Sequence, residues 1–245
     1  MALALGLACA LGALAARDAR AGGGEEVVPR IISLGGRCVK CDISNRKLPG
    51  ARFVAGDFKG ASLVGSDLRG GLFLGSDFSG ADFSHADLRA ATISGAIFQG
   101  ADFTDADMVG LEAVGADLAD AVLAHARAES STLVGADLRG VNARGAHFDD
   151  SNMTGANMSG GIFDEASFDG AQLLGAILAG GRFGHADFRN AKLRGAFIAG
   201  ADLSAAVNLT RGQLSEACAD HTTRLPAGLT AKVCLGRVIL LRRTP

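Results

Sequence analysis

Large apolar residues recur at every fifth position from Ile43 to Leu203. Between Cys41 and Ala205, thirty-three five-residue units keep one register without insertion or deletion, and the third residue is Leu, Phe, Met or Ile in thirty of them. Ala113, Ala128 and Ala143 take that place in the other three. The first residue is small except at Arg46, Leu111 and Val141, the second and fourth are mostly polar, and Gly is commonest at the fifth. Of 13 Phe, 12 stand at the third place and only Phe197 falls elsewhere. A period of five fits neither a helix nor a strand, so the backbone must turn once per unit, with one large and one small residue pointing inward. A fixed short period over about two-thirds of the chain signals a solenoid, in which each repeat touches mainly its neighbours.

Units such as Ala81-Asp82-Phe83-Ser84-His85 and Ala201-Asp202-Leu203-Ser204-Ala205 closely resemble the A(D/N)LXX pattern of the pentapeptide-repeat family. The resemblance implies an all-β solenoid, a right-handed quadrilateral β-helix with four units per coil and about eight coils. At ~4.8 Å per coil the rod is roughly 40 Å long. An interior filled with Phe, Leu and Ala is expected to hold neither substrate nor cofactor, so no catalysis is expected and function falls to the outer walls and the caps. The three Ala centres make residues 113–143 the stretch expected to pack least densely.

The chain divides by composition into a leader (1–21), an N-terminal cap (22–40), the β-helix (41–205) and a C-terminal cap with a tail (206–245). Ala2 to Ala16 form an apolar run, and Ala19-Arg20-Ala21 offers a small-x-small cleavage site before Gly22, which reads as a secretory signal peptide. It has no basic n-region, since nothing before Arg17 is charged apart from the amino terminus. The apolar run is too short for a comfortable membrane span. Without residues 1–21 the chain holds 22 Lys and Arg against 25 Asp and Glu, a net charge of −3. That balance argues against a basic nucleic-acid groove.

Beyond Ala205 the register slips, with Leu209 standing where position 208 would continue it. Thr210 and Gln213 have capping-box spacing, so a short helix over 211–217 is expected to close the rod. Leu209-Thr210 through Gln213-Leu214, Ala217-Cys218, Leu225-Pro226-x-Gly228-Leu229 and Cys234 resemble the tail of exported bacterial members of the family. The apolar stretch Val238-Ile239-Leu240-Leu241 reads as a strand or a segment folded over Phe197, in its own chain or in a dimer partner. Four cysteines follow the leader: Cys38, Cys41, Cys218 and Cys234. The rod implied by the resemblance puts the two pairs at opposite ends, which leaves the local bonds Cys38–Cys41 and Cys218–Cys234. An even count suits an oxidising compartment.

With four units per coil, residues twenty apart stack into columns. Val54, Leu74, Ser94, Val114, Val134, Thr154, Leu174 and Arg194 form a column rich in aliphatics, the candidate contact surface. Ile177 and Phe197 are outward neighbours in a column otherwise lined mostly by Asp and Asn, and join that candidate surface. Asp67, Arg69, Asp87, Arg89, Asp187 and Arg189 read as solvated ion-pair ladders of small individual worth. His85, Asp105 and His125 stack at one corner with nitrogen and oxygen ligands for a divalent ion, but parallel side chains on a flat wall do not converge on a fourth ligand. The reading favoured is a non-catalytic structural or interaction rod, exported to the bacterial periplasm, binding an unidentified protein or a second copy, with no nucleic acid and no membrane span in the mature chain. The alternatives are a cytoplasmic topoisomerase-binding DNA mimic and a metal-binding protein.

Overall fold

The structure, a computed structural model, describes residues 33, 34 and 36–234. The leader expected over 1–21 and the apolar segment 238–241 lie outside the described residues. Each unit forms one side of a square, right-handed coil. Bridges join residues twenty apart from Arg37↔Asp57 to Asp187↔Val207, all parallel, so four units complete one coil. Wall 1 begins with the unit at Cys41, wall 2 with Arg46, wall 3 with Ala51 and wall 4 with Gly56.

The unit at Ala81 shows why small-polar-large works. The N–H of Phe83 donates to the Asp102 carbonyl of the next coil at 2.7 Å, and that of Asp82 donates to Ala61 of the previous coil at 2.9 Å. Phe83 thus points inward on a backbone held from both sides, fully buried with Ala81. Ala86 N–H donates back to Phe83 at 3.0 Å and closes the corner turn. Asp82 accepts the Ser84 N–H at 2.9 Å, which explains Asp and Asn at the second place as local turn acceptors. The fifth residue takes positive φ, for example +63° at Gly80 and +58° at His85, a conformation that Gly adopts without strain.

Strands β1 (Ser33–Leu34), β2 (Arg52–Val54) and β3 (Leu72–Leu74) form a parallel sheet at the N-terminal end of wall 3. The Phe side chains make two stacked blocks. Phe58, Phe78 and Phe98 follow one another at 4.8 and 5.3 Å, and Phe163–Phe183 and Phe168–Phe188 are each 5.2 Å apart. No Phe lies between Phe103 and Phe148. There the small centres Ala113 and Ala143 follow Leu111 and Val141, which are 1% and 0% exposed, so large and small have exchanged places within the unit. Ala128 has no such partner. Nearby, the buried hydroxyls of Ser131 and Ser151 find no hydrogen-bond partner among the described residues.

Both ends of the coil extend past the in-phase repeats. Gly36 to Lys40 already form a unit: Cys38 N–H donates to Asp57 at 2.8 Å, and Lys40 stands at φ +55°. Cys38 takes the inward third place and is bonded to Cys41, the first residue of the next unit, with Cα atoms 5.4 Å apart. Ala206 and Val207 hold first and second places beyond Ala205, and Val207 pairs with Asp187.

Helix α1 (Arg211–Leu214) follows with Thr210 as N-cap and the complete capping box with Gln213. The Gln213 amide also donates to the carbonyls of Phe188 and Ala191, at 2.6 and 2.9 Å, satisfying the open edge of the last coil. Leu214 is fully buried over the core. The helix stops three residues short of the expected Ala217, because the chain rejoins wall 4 there. Cys218 donates to Ala196 at 2.8 Å and pairs with Phe197. Strands β4 (Cys218–Ala219) and β5 (Lys232–Val233) extend that wall by two rungs, and Cys234, bonded to Cys218 with Cα atoms 5.2 Å apart, fastens the last one. In between, Asp220 accepts from the N–H groups of Gly200, Thr222 and Thr223, each at 3.0 Å. The hydroxyl of Thr222, first among these donors, holds the Asp220 carboxyl well below the usual carboxylate range.

Candidate interaction surface

Wall 3 carries few charges outside its ends. Its fourth-place column is the aliphatic one, with Val54 and Leu74 each 39% and Val114 47% exposed, and Val134 and Leu174 half-buried. Its second-place column reads Arg52, Leu72, Thr92, Glu112, Thr132, Asn152, Gln172 and Lys192. At the corner between walls 3 and 4, Gly75, Gly95, Gly115, Gly135, Gly155, Gly175 and Gly195 stack without a side chain. Around that bare corner lies the second-place column of wall 4, where Ile97 and Phe197 are exposed and Ile177 is half-buried. The two columns that looked separate in the sequence therefore flank one edge. Each rung contributes at least one large aliphatic or aromatic residue to it, except the rung of Thr154 and Asn157. Near the cap, Leu174, Leu193 and Arg194 line an open groove of about 420 Å³ against Gly212 and Glu216.

The diagonally opposite corner, between walls 1 and 2, is polar. His85, Asp105, His125, Glu165 and His185 stand there, all at positive φ. His85 Nδ1 lies 3.8 Å from Asp105 Oδ2, whereas His125 leans over Gly145, where an added Cβ would meet its Nδ1 at 2.7 Å. Glu165 is drawn to Arg144 at 2.5 Å, and that hydrogen bond lowers its pKa. Among the described residues, no three His, Cys, Asp or Glu side chains come together to hold a metal. Asp149 accepts from Ser167 and faces His147 Nδ1 at 3.7 Å. The carboxylate lies between hydroxyl and imidazole, so the imidazole is not placed to activate the hydroxyl.

Wall 2 holds a continuous ladder, Asp67, Arg69, Asp87, Arg89, Asp107, Arg127 and Glu129, linked at 2.6 to 3.6 Å. The guanidinium of Arg69 lowers the Asp67 carboxyl, and that of Arg89 lowers Asp87. The small net charge of the chain conceals a separation along the rod. Residues 60–205 contain nine Lys and Arg against nineteen Asp and Glu, while residues 37–59 contain six against two. A whole-chain balance hides this; a count by segment finds it. No described helix is long and apolar enough to cross a membrane.

These features define a β-solenoid with an apolar core, four parallel-bridged walls and its charged side chains on the outside. The chain belongs to the pentapeptide repeat family: the model for pentapeptide repeats matches in eight copies over residues 57–110 and 116–222. The unit left between them, 111–115, is the one in which Leu111 and Ala113 exchange sizes. Among solved structures, the chain is similar to HetL, a pentapeptide repeat protein involved in heterocyst differentiation regulation from the cyanobacterium Nostoc sp. strain PCC 7120. That match has 26% identity, covers 76% of this chain and 86% of HetL, and has a TM-score of 0.43. It is also similar to trypsin-treated QnrB1, a plasmid-mediated fluoroquinolone resistance protein, at 20% identity over 78% of this chain and 91% of that one, with a TM-score of 0.37. A pentapeptide repeat protein from the Arabidopsis thaliana thylakoid lumen matches at 25% identity over 61% and 72% of the two chains, with a TM-score of 0.24. No curated protein matches the chain.

Proposed function

We propose that this protein is a non-catalytic interaction rod that docks a protein partner along wall 3 and its glycine corner. The observation that carries the reading is the aliphatic column from Val54 to Leu174, on a wall whose charges are almost all at its ends. Contiguous exposed apolar surface marks contact sites, and a flat, rigid wall presents it without an ordering cost. A photo-crosslinking residue at Val114 should capture a discrete partner in cells, whereas one at Ser84 on wall 1 should not. Equal capture from both positions would sink the assignment.

Export to the periplasm is the second part of the proposal, supported by the apolar leader, the Ala19-x-Ala21 site and the two local disulfides. Mass spectrometry of the mature chain should find a start near Gly22 and no free thiol at Cys38, Cys41, Cys218 or Cys234. An intact Met1 with alkylatable thiols would refute it. One observation favours a different reading, a cytoplasmic DNA mimic that binds a topoisomerase: the excess of carboxylates in residues 60–205. Against it, the wall with the best contact chemistry is not acidic: its only carboxylate between Val54 and Arg194 is Glu112. Inhibition of gyrase supercoiling by the purified chain would support the mimic and displace the export reading.

A further inference from the structure

The fourth-place column of wall 3 has a symmetry that its composition does not require. From the N-terminal rung it reads Val54, Leu74, Ser94, Val114, Val134, Thr154, Leu174, Arg194. From the other end Leu174 answers Leu74, Thr154 answers Ser94, and Val134 answers Val114. Only the outermost pair, Val54 and Arg194, breaks the pattern. We infer that the occupant of this wall is a second copy of the chain, laid antiparallel across it about a two-fold axis between the rungs of Val114 and Val134. The inference rests on wall 3 being the docking surface, as proposed above.

Such an axis reverses the order of the rungs and keeps the fourth-place column opposite its own counterpart, which is the self-complementarity a two-fold interface demands. Leu74 of one copy then faces Leu174 of the other, Val114 faces Val134, and the hydroxyls of Ser94 and Thr154 meet. Rungs repeat at ~4.8 Å in both copies, so the rows stay in phase along the whole wall. A helix of 5.4 Å pitch would slip by about 4 Å over the same seven intervals. In the neighbouring column Glu112, which accepts from the Thr92 hydroxyl at 3.3 Å, would face Thr132, a further hydroxyl donor. Arg52 would face Lys192 only at the outer ends, where solvent screens the repulsion.

Eight rungs of a wall about 10 Å wide amount to roughly 400 Å² per copy, about half of what a standard interface buries on each side. The dimer is therefore reversible and concentration-dependent. Like charges meet in two places, Arg52 against Lys192 at the ends and the two Glu112 carboxylates on neighbouring rungs either side of the axis, so added salt tightens the dimer, the opposite of an ion-paired association.

The test is a chain carrying both Leu74→Cys and Leu174→Cys, treated with a short thiol crosslinker. Within one molecule these positions are five rungs apart, about 24 Å, beyond the reach of the reagent. Covalent dimers are expected from the double variant, in greater yield at high salt, and none from Leu74→Cys alone. Val114→Glu, added to the double variant, should lower the yield at least about tenfold, roughly 1.4 kcal/mol or more, and leave the thermal melt unchanged, since that side chain is 47% exposed. Crosslinking by Leu74→Cys alone would mean parallel copies and overturn the proposal. So would the absence of covalent dimers together with a sedimentation profile that stays monomeric at the same concentration. In that event, capture of another protein from Val114 in cells would leave the docking wall standing, and its failure would remove both.

Discussion

Replacing Phe78 with Ala tests the inward register and the energetic role of the aromatic block together. Phe78 is fully buried, and its ring lies 4.8 to 5.5 Å from those of Phe53, Phe58, Phe73, Phe83 and Phe98. Truncation removes the transfer free energy of the ring and leaves a cavity among five aromatic neighbours, which bridged backbones on either side keep from collapsing. Phe→Ala substitutions in cores cost about 3–5 kcal/mol, and loss of favourable ring–ring geometry puts this site at the upper end. Phe197→Ala is the matched control. That ring is 39% exposed, so its loss should cost about 1–2 kcal/mol. Urea unfolding followed by far-ultraviolet circular dichroism gives both values, provided the m-value is unchanged. A solenoid can instead fray locally, and a reduced m-value would reveal that. If Phe78→Ala costs no more than Phe197→Ala at equal m-value, the third place is not the energetic centre of the coil.

Phe103→Asp should abolish folding, because it buries a carboxylate with no partner; a wild-type melting curve would contradict the register. Gly135→Ala isolates the corner: an added Cβ meets nothing within 4 Å, but φ is +63°, so a loss of about 1 kcal/mol should come from backbone strain alone. A loss near zero, read by the same urea titration, would mean that the corner relaxes. Asp220 has a depressed folded-state pKa, so its contribution is present above the unfolded carboxylate value of ~3.9 and is lost as pH falls below that. The melting-temperature difference between the parent and Asp220→Asn should therefore be largest at neutral pH and shrink below about pH 4; a constant difference would assign the effect to the Thr222 and Thr223 hydrogen bonds alone.

The coil was legible because its core repeats one simple demand, a large residue at the third place of each five-residue unit, which thirty units satisfy. Where another chemistry meets the demand, the pattern disappears from view. Cys38 fills an inward place with a disulfide, and Ala217-Cys218-Ala219 rejoin wall 4 after a helix has broken the count. The short helix was readable from Thr210 and Gln213, but not its end at Leu214, which is set by the ladder to Gly195 and Ala196. The candidate surface was half legible. Column arithmetic found Val54 to Leu174 and, separately, Ile177 and Phe197. That they border one bare corner, with Ile97 in the same column as Ile177 and Phe197, depends on which fifth residues lack a side chain and which way the chain turns there.

The twenty-residue bridge spacing also works as a modulus for change in length. Inserting or deleting four whole units lengthens or shortens the rod by one coil and returns every later side chain to the wall it occupied before. Removing a single unit keeps the inward Phe and Leu inward, so the coil still closes. It also turns everything downstream by a quarter revolution, and the aliphatic row would break off wall 3 and resume on wall 2. A change that costs the fold little would thus cut the contact strip in two when it falls between Val54 and Leu174, so within that stretch the whole-unit indels that matter to binding are distinguished by their length modulo twenty.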